Sequence, residues 1–96
     1  MKDKKEVEEF YARLKNELDN TTEWPSQYLY KFIVPTDQEK IKQIETIFDN
    51  TGAVISTKTS SNGKYTSLSV EVKMKDSDAV IEKYKEVSTV EGVISL

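Results

Sequence analysis

The stretch AVISTKTSSNGKYTSLSVEVKM, residues 53–74, decides the fold of this chain. Its Asn62-Gly63 pair lies between two runs of alternating apolar and polar residues, and Asn-Gly in that setting is a strong hairpin signal. If Asn62 and Gly63 form the turn, the numbers of paired residues add up to 125. One face then collects the mostly apolar pairs Ala53–Val72, Ile55–Val70 and Thr57–Leu68, and the other collects the mostly polar pairs Ser60–Tyr65, Lys58–Ser67, Ser56–Ser69 and Val54–Glu71. The stretch predicts a hairpin with one buried and one open face.

The segment before the hairpin, residues 27–34, predicts a central strand. One face carries the large residues Tyr28, Tyr30, Phe32 and Val34, and the other carries Gln27, Leu29, Lys31 and Ile33. Because both faces hold apolar side chains, we expect strands on both sides of this one. Pro35 ends the strand.

Two helices flank the hairpin along the chain. Thr36 and Glu39 have the spacing of a capping box, and apolar residues follow at helical spacing: Ile41, Ile44, Ile47 and Phe48. Asn50 and Gly52 predict a left-handed end to that helix. The run Asp76-Ser77-Asp78 predicts a second helix start, with Val80, Ile81, Tyr84 and Val87 on the buried side. Residues 92–96 predict a short final strand.

The order of these elements is strand, helix, strand, strand, helix, strand. Two right-handed crossovers then place both helices on one face of a four-stranded antiparallel sheet, which is the ferredoxin-like βαββαβ arrangement of the α+β class. We divide the chain into an N-terminal helix with its linker, residues 1–22, and this domain, residues 23–96.

The N-terminal helix carries one apolar stripe, formed by Val7, Phe10, Tyr11, Leu14 and Leu18. The open sheet face would present Leu29, Ile33 and Val54 among polar residues, and such a mixed surface calls for a cover. We expect the stripe to cover it, either within one chain or from a second copy. The stripe together with Leu29 and Ile33 is the predicted interaction surface, so a protein partner or self-association is expected.

The composition excludes most catalytic and metal chemistry. The 96 residues include no cysteine and no histidine, which excludes zinc, iron–sulfur and haem ligation by these side chains, disulfides, and Ser-His-Asp catalysis. The carboxylate pairs Asp76/Asp78 and Glu8/Glu9 lie in predicted helices, where neighbours one or two residues apart do not face each other. We therefore predict no enzyme activity, no metal site and no cofactor.

Charge and hydropathy argue against nucleic acid and membrane as partners. The net charge is −3, and the stretch Gly63-Lys64-Tyr65-Thr66-Ser67 lacks the paired aromatics of an RNA-recognition strand. The longest apolar runs, such as Phe32-Ile33-Val34, are too short to span a membrane. We expect a cytoplasmic protein.

The tip of the hairpin is a candidate anion site. Its hydroxyl, amide and ammonium groups come from Lys58, Ser60, Ser61, Asn62, Lys64 and Tyr65. Turn formation alone also accounts for Asn-Gly and for polar neighbours, so a plain turn is the competing interpretation.

Three segments give the chain a resemblance to a known family. They are Trp24-Pro25 with Tyr30-Lys31-Phe32, the hairpin run Ser60-Ser61-Asn62-Gly63-Lys64-Tyr65-Thr66-Ser67, and Glu91-Gly92-Val93. Over residues 24–96 the chain resembles the YbeD-like bacterial domains of unknown function. The resemblance implies a small α/β sandwich similar to ACT regulatory domains, which often act as ligand-sensing dimers.

Two functions therefore stay open at this stage. The first is a non-catalytic regulatory or protein-interaction domain. The alternative is an ACT-like sensor of an amino acid or an anionic metabolite. ACT domains usually bind their effector near a glycine-containing turn after the first strand, and Val34-Pro35-Thr36-Asp37 contains no glycine. That difference favours the first function.

Overall fold

The computed structural model describes residues 4–96, so the first three residues of the predicted N-terminal segment lie outside the described part. The elements, in chain order, are α1 (Lys4–Thr21), β1 (Ser26–Pro35), α2 (Gln38–Ile47), β2 (Val54–Thr59), β3 (Tyr65–Met74), α3 (Ser77–Val87) and β4 (Ile94–Ser95). From β1 onward this is the predicted βαββαβ order.

The four strands form one antiparallel sheet in the order β2-β3-β1-β4. β1 and β3 pair over ten residues each, from Ser26–Met74 to Pro35–Tyr65, whereas β4 pairs with β1 only at Phe32–Ser95 and Ile33–Ile94. β1 is therefore an inner strand, as its two apolar faces predict. The ferredoxin-like fold is confirmed.

The hairpin has the predicted register. β2 and β3 pair from Val54–Glu71 to Thr59–Thr66, so the position numbers add up to 125. The turn is built differently from a two-residue Asn-Gly turn. Gly63 takes a positive φ of 73° and its N–H bonds the Ser60 carbonyl at 2.9 Å, while Asn62 stays outside the left-handed region. The side-chain oxygen of Asn62 instead accepts the Lys64 N–H at 3.0 Å.

The core lies between the sheet and the helices. The inward side of β1 and β3 is fully buried along most of its length, with Tyr30, Phe32, Val34, Thr66, Leu68, Val70 and Val72 at 0–1% exposure. From the helices, Ile44 and Phe48 at the α2 end and Val80 and Val87 of α3 complete this layer. Alternation along the strands thus leaves the opposite sheet face outside the core.

The start of α2 corrects one sequence prediction. The N-cap is Asp37, whose carboxylate accepts the Glu39 N–H at 2.9 Å, and not Thr36. The Thr36 hydroxyl instead lies 3.0 Å from that of buried Thr66. A carboxylate is a stronger hydrogen-bond acceptor than a hydroxyl, so Asp37 caps the helix, while the Thr36 hydroxyl contacts Thr66 of β3. The left-handed end is confirmed, with φ of 62° at Asn50 and 75° at Gly52.

The position of α1 corrects a second prediction. The helix packs beside α3, with the Lys15 ammonium 2.8 Å from the Asp78 carboxylate and the Lys85 ammonium 5.5 Å from the Tyr11 ring centre. Leu18 joins the main core. The expectation that α1 covers the open sheet face of its own chain is wrong, because its stripe packs in the helix layer, where Leu18 joins the core and Leu14 packs against it.

Candidate functional site

The open face is the outward side of the four strands, and no helix of residues 4–96 packs on it. It consists of Gln27, Leu29, Lys31 and Ile33 of β1, Val54, Ser56 and Lys58 of β2, Tyr65, Ser67, Ser69, Glu71 and Lys73 of β3, and Ile94 of β4. The register settles this list, since directly paired residues share a face.

Large apolar side chains stand exposed on the open face. Leu29 and Ile94 are each 53% exposed and Val54 is 66% exposed. Ile33 is half-buried beside Ile94, its partner across the β1–β4 pair. Single exposed apolar residues are common on proteins, but here they recur along one uncovered layer. The open face is therefore the strongest candidate for a binding surface.

Small hydroxyl side chains occupy the middle of the open face. Ser67 and Ser69 of β3 are half-buried, and they lie between β1 and β2. Their cross-strand neighbours on β1 are Ile33 and Lys31, which are taller. Short side chains thus form a low area at the centre of the open face, which Ile33 and Lys31 of β1 border and which continues onto Ser56, the β2 partner of Ser69.

The hairpin tip uses much of its polar chemistry on itself. The Ser60 hydroxyl donates to the Asn62 side-chain oxygen at 2.8 Å and accepts the Tyr65 N–H at 3.2 Å. Lys58 lies on the open face opposite Ser67, whose hydroxyl donates to the Lys58 carbonyl at 3.2 Å. The predicted tip residues do lie close together along the turn. Anion binding there stays a prediction, which would depend on Ser61 and the exposed Lys58 and Lys64 ammonium groups.

The structure does not bring together the two halves of the predicted interaction surface. Leu29 and Ile33 lie on the open face, whereas the α1 stripe lies in the helix layer. Within the stripe Leu18 is buried, Val7, Tyr11 and Leu14 are half-buried, and Phe10 is exposed. Most of the apolar stripe of α1 is thus at least half-buried by its own chain.

A groove that the sequence did not predict lies between α1 and the β1/β4 edge. It encloses about 280 Å³ and is lined by Phe10, Tyr11, Leu14, Tyr28, Tyr84, Ser95 and Leu96. The hydroxyl oxygens of Tyr28 and Tyr84 lie 2.8 Å apart, so one donates to the other and the accepting tyrosine keeps its own O–H for a further acceptor. The alternation of β1 and the periodicity of α3 each place one tyrosine inward, but neither shows that they meet.

Two tyrosines have strongly perturbed acidity. Burial raises the pKa of Tyr30, whose hydroxyl donates to the Val80 carbonyl at 2.9 Å. Burial also raises the pKa of Tyr84, and its hydrogen bond with Tyr28 acts in the same direction. Both phenols are therefore neutral hydrogen-bonding groups, and neither is activated as a base or nucleophile.

Two further searches cover residues 4–96. No group of three or more carboxylates in this part of the chain is placed to hold a metal ion. No helix within it combines the length and the apolar character needed to cross a membrane.

Comparison with known families gives one match. The model of a family described as a protein of unknown function (DUF493), which includes YbeD, matches residues 19–96. Neither a curated protein nor a solved structure matches the chain. Because the match takes in all four strands together with α2 and α3, the chain belongs to the DUF493 family, whose function is not known, and the expected relationship to YbeD-like domains is confirmed.

Proposed function

We propose that this domain is a non-catalytic regulatory or protein-interaction module that binds a partner protein on its open face. The observation that carries the proposal is the exposure of Leu29, Val54 and Ile94 on a sheet layer that no described element covers. Burying such side chains against a partner contributes roughly 25 cal/mol for each Å² of apolar surface removed from water.

The size of the open face favours a transient complex. The four strands contain ten, six, ten and two residues, and each residue covers about 3.3 Å along its strand and about 4.8 Å across the sheet. The resulting area of about 440 Å² is below the roughly 800 Å² per partner of a standard stable interface. A modest, reversible interface suits a regulatory module better than a permanent subunit contact.

The chemistry of the open face supports a non-catalytic role. Its ionisable groups are three lysines, one glutamate and one tyrosine, spread over three strands. The phenols of buried Tyr30 and half-buried Tyr84 are held neutral by their surroundings. Acid–base catalysis usually needs a group whose pKa lies near the working pH and that faces a pocket.

Site-directed photocrosslinking in the cell of origin tests the proposal. A photoreactive side chain at Ser56, which is exposed on the open face, should give a discrete adduct with another protein. The same side chain at Glu45, which is exposed on α2, is the matched control. In addition, Leu29→Ser with Ile94→Ser should weaken the Ser56 adduct and lower the melting temperature only slightly, since each residue is about half exposed.

Three results would contradict the proposal. They are identical adduct patterns at the two positions, no adduct from Ser56, or an adduct that the double variant leaves at full strength. Each result would show that the open face is not a specific binding surface.

An ACT-like small-molecule sensor is the second candidate, and the groove beside α1 favours it. Its aromatic walls and its spare tyrosine O–H suit a small apolar molecule with a carbonyl or carboxylate oxygen. A panel of metabolites tests this function, because any compound that binds the native state should raise the melting temperature. Tyr28→Phe should reduce that rise for a groove ligand, whereas Lys58→Ala with Lys64→Ala should reduce it for an anion at the hairpin tip. A panel that leaves the melting temperature unchanged would exclude this function for the compounds tested.

A further inference from the structure

We infer that the partner segment that binds the open face is an acidic amphipathic helix. The inference rests on the proposed function and adds the chemistry of the partner to it. Three properties of the open face carry it: its charge, the absence of internal partners for that charge, and its shape.

The open face is a basic surface on an acidic protein. It carries Lys31, Lys58 and Lys73 against the single carboxylate Glu71, whereas the whole chain has a net charge of −3. The excess negative charge therefore lies on the helices and loops. Complementary potentials steer association and reject partners of the wrong sign, so this face selects acidic segments.

The lysines of the open face are not neutralised within the sheet. Lys31 of β1 is paired with Ser69 of β3, and Ser69 is paired in turn with Ser56 of β2. Lys58 is paired with Ser67, and Lys73 is paired with Gln27. Sheets usually gain stability by placing opposite charges directly across from each other. Among residues 4–96 the ion pairs instead involve Lys15 and Lys83. The three open-face ammonium groups thus stay available to a partner's carboxylates.

The shape of the open face fits a helix. The low area at Ser67 and Ser69 lies between β1 and β2, which are about 10 Å apart, and an α-helix with its side chains is about 10–12 Å across. Leu29 and Ile33 are four residues apart on β1, or about 13 Å, which a helix covers in about nine residues. A helix with apolar residues recurring every three or four positions can therefore contact both.

Two other occupants fit less well. A single extended strand would lose its backbone hydrogen bonds on a sheet face, and strands instead add at edges. A second copy meeting face to face would bring together two surfaces that each carry three lysines and one glutamate, and this like charge opposes association.

Chemical-shift mapping on the isotope-labelled full chain tests the inference with synthetic peptides. Three helical peptides of about 18 residues, or five turns, share one leucine stripe and differ only in carrying Glu, Gln or Lys elsewhere. The Glu peptide should shift amide signals around Leu29–Ile33 and Ser67–Ser69, bind at least about tenfold more tightly than the Lys peptide, and weaken as salt is added.

Charge reversal provides the matched comparison. Lys31→Glu, Lys58→Glu and Lys73→Glu together should reverse the preference toward the Lys peptide. Lys4→Glu, Arg13→Glu and Lys42→Glu change the net charge equally on exposed positions of α1 and α2 and should keep the original preference. Circular dichroism of both triple variants establishes that they are folded.

Several outcomes would overturn the inference. They are equal binding of the three peptides, shifts confined to the helix layer, no binding of the Glu peptide at millimolar concentration, or self-association of the chain that blocks the face. The photocrosslinking experiment separates these from a failure of the proposed function. A discrete Ser56 adduct with a basic or uncharged partner segment would overturn the acidic chemistry and leave the open face as a binding surface.

Discussion

Gly92 lies between α3 and β4, where backbone conformation and packing both disfavour a side chain. Its φ is 82°, in the region that favours glycine, and an added Cβ would lie 3.1 Å from the Cγ and Cδ atoms of Pro35. Pro35 is the last residue of β1, so a change at Gly92 acts on the junction between β1 and β4. The Glu91-Gly92-Val93 segment thus has a structural reason for its glycine.

Gly92→Ala should lower the free energy of unfolding by about 2 kcal/mol, through left-handed strain and the contact with Pro35. Gly52→Ala is the matched control, because its φ is 75° and an added Cβ would have nothing within 4 Å. That variant should lose only about 1 kcal/mol. Urea titrations of both variants check the difference. Equal losses would show that the Pro35 contact contributes nothing.

Tyr30 makes the stability of the fold sensitive to alkaline pH. Burial raises its pKa above the ordinary value of 10.0, so in the native state the phenol keeps its proton where the unfolded chain loses it. The native state then binds more protons than the unfolded state at pH values above about 10. Stability contributed by this difference is fully present below pH 10 and declines as the pH rises further.

Tyr30→Phe should therefore flatten the loss of stability between about pH 9 and pH 11, since it removes one of the titrating phenols. At pH 7 it should cost about 1 kcal/mol, because the hydrogen bond to the Val80 carbonyl is lost. Tyr65→Phe removes an exposed hydroxyl and should follow the unmodified protein throughout. Denaturation at a series of pH values provides the measurement. A Tyr30→Phe profile as steep as that of the unmodified protein would contradict the assignment.

At the scale of elements, the start of α2 shows that two adjacent residues with similar capping ability form different hydrogen bonds. Thr36 and Asp37 are both suitable caps, and Asp37 takes the cap while Thr36 bonds Thr66 across the β1–β3 pair. Asp37→Ala should cost about 1 kcal/mol, in the usual range for N-cap replacement. Thr36→Ala should leave the helicity of α2 unchanged. Circular dichroism with urea unfolding distinguishes the two effects, and a loss of helicity with Thr36→Ala would restore Thr36 as the cap.

The sequence predicted elements well where a repeat or a pairing rule linked many residues. The hairpin register follows from one sum that must satisfy six pairs at once, so an error of one residue would have placed Leu68 and Val70 on the open face. The docking of α1 could not be predicted in the same way. A helical stripe identifies the buried side of the helix, but it does not identify which surface covers that side.

At the scale of the molecule, α1 is part of the helix layer. Leu18 lies in the main core, and Leu14 packs against it, so the helix shields apolar groups of β1 and α3. Removing residues 1–21 should expose this surface and lower the free energy of unfolding by about 3 kcal/mol, the burial of roughly two leucines. Phe10→Ser, on the exposed side of the same helix, should change stability little.

A thermal melt and binding of a hydrophobic dye check the effect of that truncation. The truncated protein should melt at a lower temperature and bind more dye than the Phe10→Ser variant. An unchanged melting temperature would show that α1 contributes no stability to the rest of the fold.

The candidate site could be predicted only in part, and the reason is geometric. Leu29, Ile33 and Val54 were identified as open-face residues because strand alternation fixes the face of each one. The groove at Tyr28 and Tyr84 was missed because it depends on how α1, α3 and the β4 edge pack together. The spacing of apolar residues along the sequence does not predict this packing. The same limit applies to the basic character of the open face, which emerges only when the lysines of three strands are placed side by side.

The last strand, β4, is held to the sheet by few bonds. It pairs with β1 at Phe32–Ser95 and Ile33–Ile94, and the Leu96 N–H donates to the Lys31 carbonyl at 2.9 Å. Segments with few hydrogen bonds and little buried apolar surface open locally at the lowest cost. β4 can therefore detach in fluctuations that leave the other strands paired, and its amides should exchange with solvent well ahead of those in the β1–β3 ladder. In such moments β1 becomes a temporary edge, and the molecule alternates between a four-stranded and a three-stranded sheet.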